Sequence, residues 1–208
     1  SLIHDDLPAM DNDDFRRGKP TNHKVFGDAM ATLAGDALLN YAFEIMLKES
    51  IGKSNPDRRL KAIYEIARGA GIYGMIGGQV VDIESEDKSI EKEKLDFIHM
   101  NKTAAMIIGC MRAGAIMGNA CEDDLQNITK YAKNIGLAFQ IVDDILDIVG
   151  DEKALGKPVG SDIENHKSTY PSLIGLDESK KVATDLIKEA KDSIRKIDRK
   201  STRLNSSH

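Results

Sequence analysis

Three features of the sequence predict an all-α helix bundle. Apolar residues recur at three- and four-residue spacings over most of the 208 residues, no stretch alternates apolar and polar residues long enough for a strand, and the breaks between periodic stretches are charged loops. Taken in order, residues 24 to 50 carry the helical repeat through Met30, Leu33, Ala37, Tyr41 and Ile45. Residues 57 to 83 and 90 to 118 follow as further helices, with Pro56 suited to the first turn of one and Ser89 to the cap of the next. The clearest pattern lies in residues 122 to 150, where Leu125, Ile128, Ala132, Ile135, Phe139, Val142, Leu146 and Val149 mark one apolar seam. A last helix is expected over 178 to 197, and charged loops near 11 to 23, 50 to 56, 84 to 89 and 150 to 168.

No internal repeat, low-complexity tract or interdomain linker divides the chain, so residues 1 to 197 read as one domain. Residues 198 to 208, DRKSTRLNSSH, break the preceding helical pattern and resemble the in-frame translation of a sequencing-library adapter, so they are set apart as a non-native tail. The chain opens on Ser1 rather than methionine, and the native N-terminus is expected upstream.

With 41% hydrophobic and 30% charged residues the chain reads as a soluble globular protein, and no apolar run approaches the roughly 18 residues of a membrane span. A net charge of −5 and the absence of tryptophan speak against a nucleic-acid partner. Cys110 and Cys121 match neither a disulfide framework nor zinc-ligand spacing, which points to small core residues in a reducing, cytoplasmic compartment.

Charge is concentrated in HDDLPAMDNDDFRRGKP, residues 4 to 20. Asp5, Asp6 and Asp11 are separated by Pro8, which disturbs a regular helix and lets Asp11 leave the strict helical count. A second cluster, FQIVDDILDIVGD, places Gln140, Asp143 and Asp147 one residue behind the apolar seam, about 100° round the helix from it. Carboxylates bordering a core must line a polar cavity or bind cations, because unpaired and dry they cost several kcal/mol each.

Asp5, Asp6 and Asp11 on one segment and Asp143, Asp144 and Asp147 on another, with no histidine or cysteine ligand pattern, suit a hard cation, and magnesium is the natural candidate. Arg16 and Arg17 add forked donors for a polyanion, and Lys102 with Thr103, Lys157, and Lys167 continue the basic theme. A metal-bridged diphosphate satisfies both signs of charge.

Each piece has an ordinary alternative. The first cluster alone reads as a solvated acidic loop, though not as an EF-hand, because Phe15 and Arg16 stand where that loop needs a ligand and a glycine. Asp143, Asp144 and Asp147 alone fit an exposed helical face. GGQVVD, residues 77 to 82, reads as a helix-packing stretch, and His4, His23, His99 and His166 as packing or capping residues.

Taken together, DDLPAMDNDDFRRGKPTNHKVFG, LAGDALL, GGQVVD, KTA, FQIVDDILD and LGKPVGSDIENHKSTYP resemble the corresponding blocks of trans-isoprenyl diphosphate synthases, bacterial farnesyl diphosphate synthases above all. The resemblance runs from Ser1 to about Ile197 and includes the long first motif DDxxxxD and the second motif DDxxD. It implies an isoprenoid-synthase-type bundle of antiparallel helices around a deep cavity, with the first helices missing, usually in a homodimer. It implies magnesium held by Asp5, Asp11 and Asp143, and an allylic diphosphate met by Arg16, Lys102, Thr103, Gln140, Lys157 and Lys167, with Arg17 on isopentenyl diphosphate.

The reaction so implied condenses the two substrates to farnesyl diphosphate, with Lys102, Thr103 and Gln140 nearest the chemistry. Ser1, four residues before Asp5, is small, and the fifth position, which also bears on product length in the family, is not in the sequence. Overall likeness favours a farnesyl product over geranylgeranyl. The family's upstream Gly-Lys and Arg segment is absent, and its Lys-Thr-Gly reads Lys102-Thr103-Ala104. A non-catalytic subunit of a heteromeric synthase, a terpene cyclase and a plain acidic bundle remain as alternatives.

Overall fold

The computed structural model describes residues 1–150 and 167–205. These are helical nearly throughout, as expected, and gather into two compact units, one within Ser1–Pro56 and the other drawn from Asp57–Val149 and the C-terminal helices.

In the first unit, α1 (Leu2–Asp5) is a single turn, and a two-stranded hairpin, β1 (Phe15–Arg16) and β2 (Lys19–Pro20), interrupts the predicted loop. Arg17 and Gly18 at its tip have φ of 53° and 72°, the two left-handed positions that a tight hairpin turn requires. α2 (Asn22–Phe26) and α3 (Asp28–Lys48) follow, parted at Gly27, whose φ of 85° stops the helix predicted to run through it.

The seam predicted for α3 is not its buried face: Met30, Leu33, Tyr41 and Ile45 are exposed, while Ala31 and Gly35 are buried. Small residues decide this, because α1 packs on them directly. A Cβ at Gly35 would stand 2.2 Å from Nε2 of His4, which instead donates to the carbonyl of Thr32 at 2.9 Å. His4 is thus a packing residue, as expected.

The second unit begins with α4 (Pro56–Ala70), led by the proline that predicted it. The single helix expected over 57 to 83 is broken, α5 (Met75–Ile83) starting after Gly74. The helix expected over 90 to 118 has three parts: α6 (Lys92–Ile98), a π-helical turn (His99–Ala104) and α7 (Ala105–Met117). It starts later than predicted, with Glu91 rather than Ser89 at its N-cap. π-turns inside helices re-aim side chains at functional positions, and this one carries Lys102 and Thr103.

α8 (Glu122–Val149) packs against α7, the π-turn and α10 (Leu176–Asn205), and α9 (Tyr170–Ile174) closes the group. α10 runs past the predicted end at 197 because nothing in DRKSTRLN, neither glycine nor proline, stops a helix.

The core of this unit joins Ile90, Leu95 and Ile98 to Ile141, Ile145, Tyr170 and Ala183. The α8 seam is therefore rotated from the predicted one. Ala132, Ala138, Ile141 and Ile145 are buried, whereas Phe139 is 60% and Val149 51% exposed. Gly136 is the physical reason, because its missing Cβ, which would lie 2.5 Å from that of Ala104, lets the π-turn sit directly on α8. Ala104 is itself fully buried there, so its methyl is spent on helix packing.

Cys110 and Cys121 are exposed, not core residues: α7 buries its small Gly109 and Ala113 rather than Cys110, and Cys121 stands just ahead of α8. Among the described residues no helix is long and apolar enough to cross a membrane.

Candidate functional site

In the first unit the aspartates are gathered by the end of α1. The helix stops at Asp5, and the chain turns back so that the amide of Asp11 donates to the carbonyl of Asp5 at 3.0 Å. Pro8 lies within that turn, as the sequence predicts, and Asn12, with φ of 52°, completes it.

Asp6 is buried, and Arg16 on β1 neutralises it, donating from Nε at 2.7 Å and approaching with Nη2 at 2.6 Å. The same Nη2 reaches Asp5 at 3.4 Å. Asp6 therefore sets the guanidinium, while Asp5 and Asp11 are only partly buried. Arg17 is exposed at the hairpin tip. His23, buried and beside Thr21 Oγ1 at 3.2 Å, is a packing residue, and Thr21 anchors the loop by donating to the carbonyl of Asp13 at 2.6 Å.

In the second unit Thr103 donates to Oε1 of Gln140 at 2.8 Å, uniting two residues predicted from separate motifs. Lys102 donates to Asp82 at 2.7 Å. Asp82 was missed by sequence reasoning, which read GGQVVD as packing alone. That reading holds for Gly78, where a Cβ would meet the backbone nitrogen of Lys102 at 2.1 Å. The signal for Asp82 lay in the same motif, one helical turn after Gly78, but nothing in the sequence pairs α5 with the π-turn.

The three aspartates of α8 differ in setting. Asp143 is partly buried, whereas Asp144 and Asp147 are 4% and 1% exposed. Asp144 accepts the backbone N–H of Tyr170 at 2.9 Å and lies 3.6 Å from Nε2 of His99. Burial pushes the His99 imidazole down to about 4, so it is neutral at pH 7 and this contact is no ion pair. Lys167 is partly buried just before Thr169, the N-cap of α9, whose side chain closes a capping box with Ser172. Lys157 and His166 lie outside the described residues.

Among the described residues no three carboxylate, histidine or cysteine side chains converge into a metal cage. Magnesium does not need one, since it is usually held by one or two carboxylates together with water and substrate phosphates. Asp5 and Asp11, and separately Asp143, offer oxygen donors of that kind, and both units place cations beside carboxylates.

The sequence profile described as Polyprenyl synthetase matches residues 1–203. The chain belongs to the polyprenyl synthetase family. Two relatives show how the family's names divide: the chain is 50% identical over 191 residues to farnesyl diphosphate synthase of Bacillus subtilis (strain 168), covering 92% of this chain and 64% of that one. It is 51% identical over 197 residues to geranylgeranyl pyrophosphate synthase 3, chloroplastic, of Arabidopsis thaliana, covering 93% of this chain and 55% of that one.

Among solved polyprenyl synthetase relatives, the geranyltransferase of Helicobacter pylori complexed with magnesium and isoprenyl diphosphate superposes with a TM-score of 0.83 at 32% identity, over 94% of this chain and 63% of that one. The all-α isoprenoid-synthase fold is shared with it. The chain thus spans less than two thirds of the length of these relatives.

Proposed function

We propose that the protein to which this chain belongs is a magnesium-dependent trans-prenyltransferase that joins isopentenyl diphosphate to dimethylallyl or geranyl diphosphate and yields farnesyl diphosphate. The observation that carries the reading is the presence of both aspartate motifs, the first paired with Arg16, together with a Lys102 held by Asp82, on a polyprenyl synthetase chain half identical to a farnesyl diphosphate synthase. The complex of the Helicobacter pylori relative with magnesium and isoprenyl diphosphate supports the cofactor and the substrate class.

In this reading Asp5, Asp11 and Asp143 hold the metal, while the more deeply buried Asp6, Asp144 and Asp147 support them. Bound magnesium supplies positive charge against the departing diphosphate. Arg16, Lys102, Lys157 and Lys167 bind the allylic diphosphate and stabilise the charge that grows on it as the C–O bond breaks, and Arg17 binds isopentenyl diphosphate. Thr103 spends its proton on Gln140, so its lone pairs remain to face the allylic cation. The isopentenyl double bond attacks that cation, and the released diphosphate takes the proton lost from the adduct. The resemblance also implies a homodimer, which sedimentation of the full-length protein tests, and the cysteine usage implies a reducing, cytoplasmic compartment.

The deciding experiment uses the full reading frame with magnesium, labelled isopentenyl diphosphate and either allylic substrate. A C15 product that disappears on chelation is expected. A C20 product changes the name to geranylgeranyl diphosphate synthase, a reading kept open by the comparable identity, 51% against 50%, to the Arabidopsis relative. No incorporation by folded protein moves the non-catalytic subunit ahead.

Asp82 should matter to the same reaction. Its pair with Lys102 is 16% and 23% exposed, so Asp82→Ala leaves a mostly buried ammonium without its acceptor and costs about 1 to 3 kcal/mol of stability. It lowers kcat/KM by roughly tenfold, by the loss of one charged hydrogen bond that aims Lys102. Steady-state kinetics and thermal unfolding on the same variant check both; an unchanged kcat/KM removes Asp82 from the site.

A further inference from the structure

Tyr170 opens α9, three residues after Lys167, and is 3% exposed. None of the chemistry above uses it, yet it makes four directed contacts. Its backbone N–H donates to Oδ2 of Asp144 at 2.9 Å, and its hydroxyl donates to Oδ1 of Asp96. Its ring stacks on His99, with centroids 5.5 Å apart and planes 17° from parallel. Lys92 lies 5.1 Å from the ring centroid and donates to Oδ2 of Asp96 at 2.7 Å.

One residue therefore ties α9 to α6 and the π-turn through its side chain and to α8 through its backbone N–H. Each joint lies beside a residue of the proposed site: Asp144 follows Asp143, His99 begins the turn that carries Lys102 and Thr103, and Thr169 links Tyr170 to Lys167. Burial, and next the bond to Asp96, raise the hydroxyl pKa above its usual value, so it stays a proton donor. Hydrogen bonds to a charged acceptor hold geometry more strongly than neutral ones.

We propose that Tyr170 is a positioning residue for prenyl transfer, its contacts with Asp96, Asp144 and His99 fixing Asp143 and Lys167 where the allylic diphosphate binds. The inference rests on the reading under Proposed function. It assigns Tyr170 to the allylic substrate and not to isopentenyl diphosphate, because Asp143 and Lys167, the site residues next to its contacts, are both read as serving the allylic diphosphate.

Tyr170→Phe in the full-length enzyme removes only the hydroxyl and leaves Asp96 paired with Lys92, so the variant is expected to fold. Its KM for geranyl diphosphate should rise about tenfold, the effect of losing one charged hydrogen bond, while KM for isopentenyl diphosphate stays within about twofold. Asp96→Asn keeps an acceptor for the hydroxyl and should bind geranyl diphosphate like wild type. Asp96→Ala also frees Lys92 but should match Tyr170→Phe in KM for geranyl diphosphate, and the double variant Tyr170→Phe with Asp96→Ala should be no worse than Asp96→Ala, since both substitutions remove the same hydroxyl–carboxylate bond.

Equal changes in both KM values, or a lowered melting temperature with neither KM changed, would overturn the proposal and leave Tyr170 a structural residue. Wild-type turnover, measured first, tests the enzyme reading independently. Calorimetric binding of geranyl diphosphate to wild type and Tyr170→Phe tests the positioning role without turnover, and equal affinities there would also overturn it.

Discussion

Asp143→Ala in the full-length enzyme is expected to lower turnover by roughly a hundredfold or more while the protein melts close to the wild-type temperature. Removing a group that stabilises charge only as it develops typically costs two to three orders of magnitude. Stability should survive because Asp143 is only partly buried and alanine is the best helix former. Asp144→Ala makes the informative contrast. That carboxylate is 4% exposed and accepts the amide of Tyr170, so its loss should lower the melting temperature as well, by the equivalent of about 1 to 3 kcal/mol for an orphaned buried donor. Steady-state kinetics with magnesium titration, beside thermal unfolding of both variants, separates the two roles. Wild-type turnover in Asp143→Ala would remove that residue from the metal site.

Gly78→Ala should act in the opposite way, through packing first. The new Cβ would stand 2.1 Å from the backbone nitrogen of Lys102 and 2.7 Å from the carbonyl carbon of Asn101, and backbone cannot swing aside as a side chain can. α5 and the π-turn must separate, an overpacking cost of about 1 to 3 kcal/mol or more that outweighs the roughly 1 kcal/mol alanine gains in helix propensity. The same separation draws Asp82 away from Lys102, so activity falls with stability. Gly114→Ala in α7 is the control: a Cβ there meets nothing within 4 Å, and the change should be neutral or stabilising. Denaturant unfolding of the pair checks this, and a Gly78→Ala protein as stable as wild type would show that the contact is loose.

The helical class, the break at Pro56 and the residue types of the site were legible because they depend on local order: period, capping and charge along one segment. Thr103 and Gln140 were both named from sequence, but their hydrogen bond joins two helices. Asp82 and Tyr170 escaped notice for the complementary reason. An aspartate in a glycine-rich helix and a tyrosine before a proline look ordinary until α5 meets the π-turn and α9 meets α8. The small hairpin at 15 to 20 was hidden by its length, since two-residue strands carry no alternation to detect.

What the sequence by itself determined is an all-α chain with two aspartate motifs, a double arginine and a Lys-Thr pair, the set that marks a polyprenyl synthetase. What only the tertiary structure decided is which of those groups turn inward. On α3 and α8 the predicted seams followed the largest apolar residues, yet the buried faces are those with Gly35 and Gly136, where a neighbouring backbone or ring approaches more closely than any Cβ permits. Helical period fixes which residues share a face; it does not fix which face a neighbour covers. That choice depends on where the small residues of one helix meet another, and it is what buries Asp144 and Asp147 and leaves Asp143 partly open.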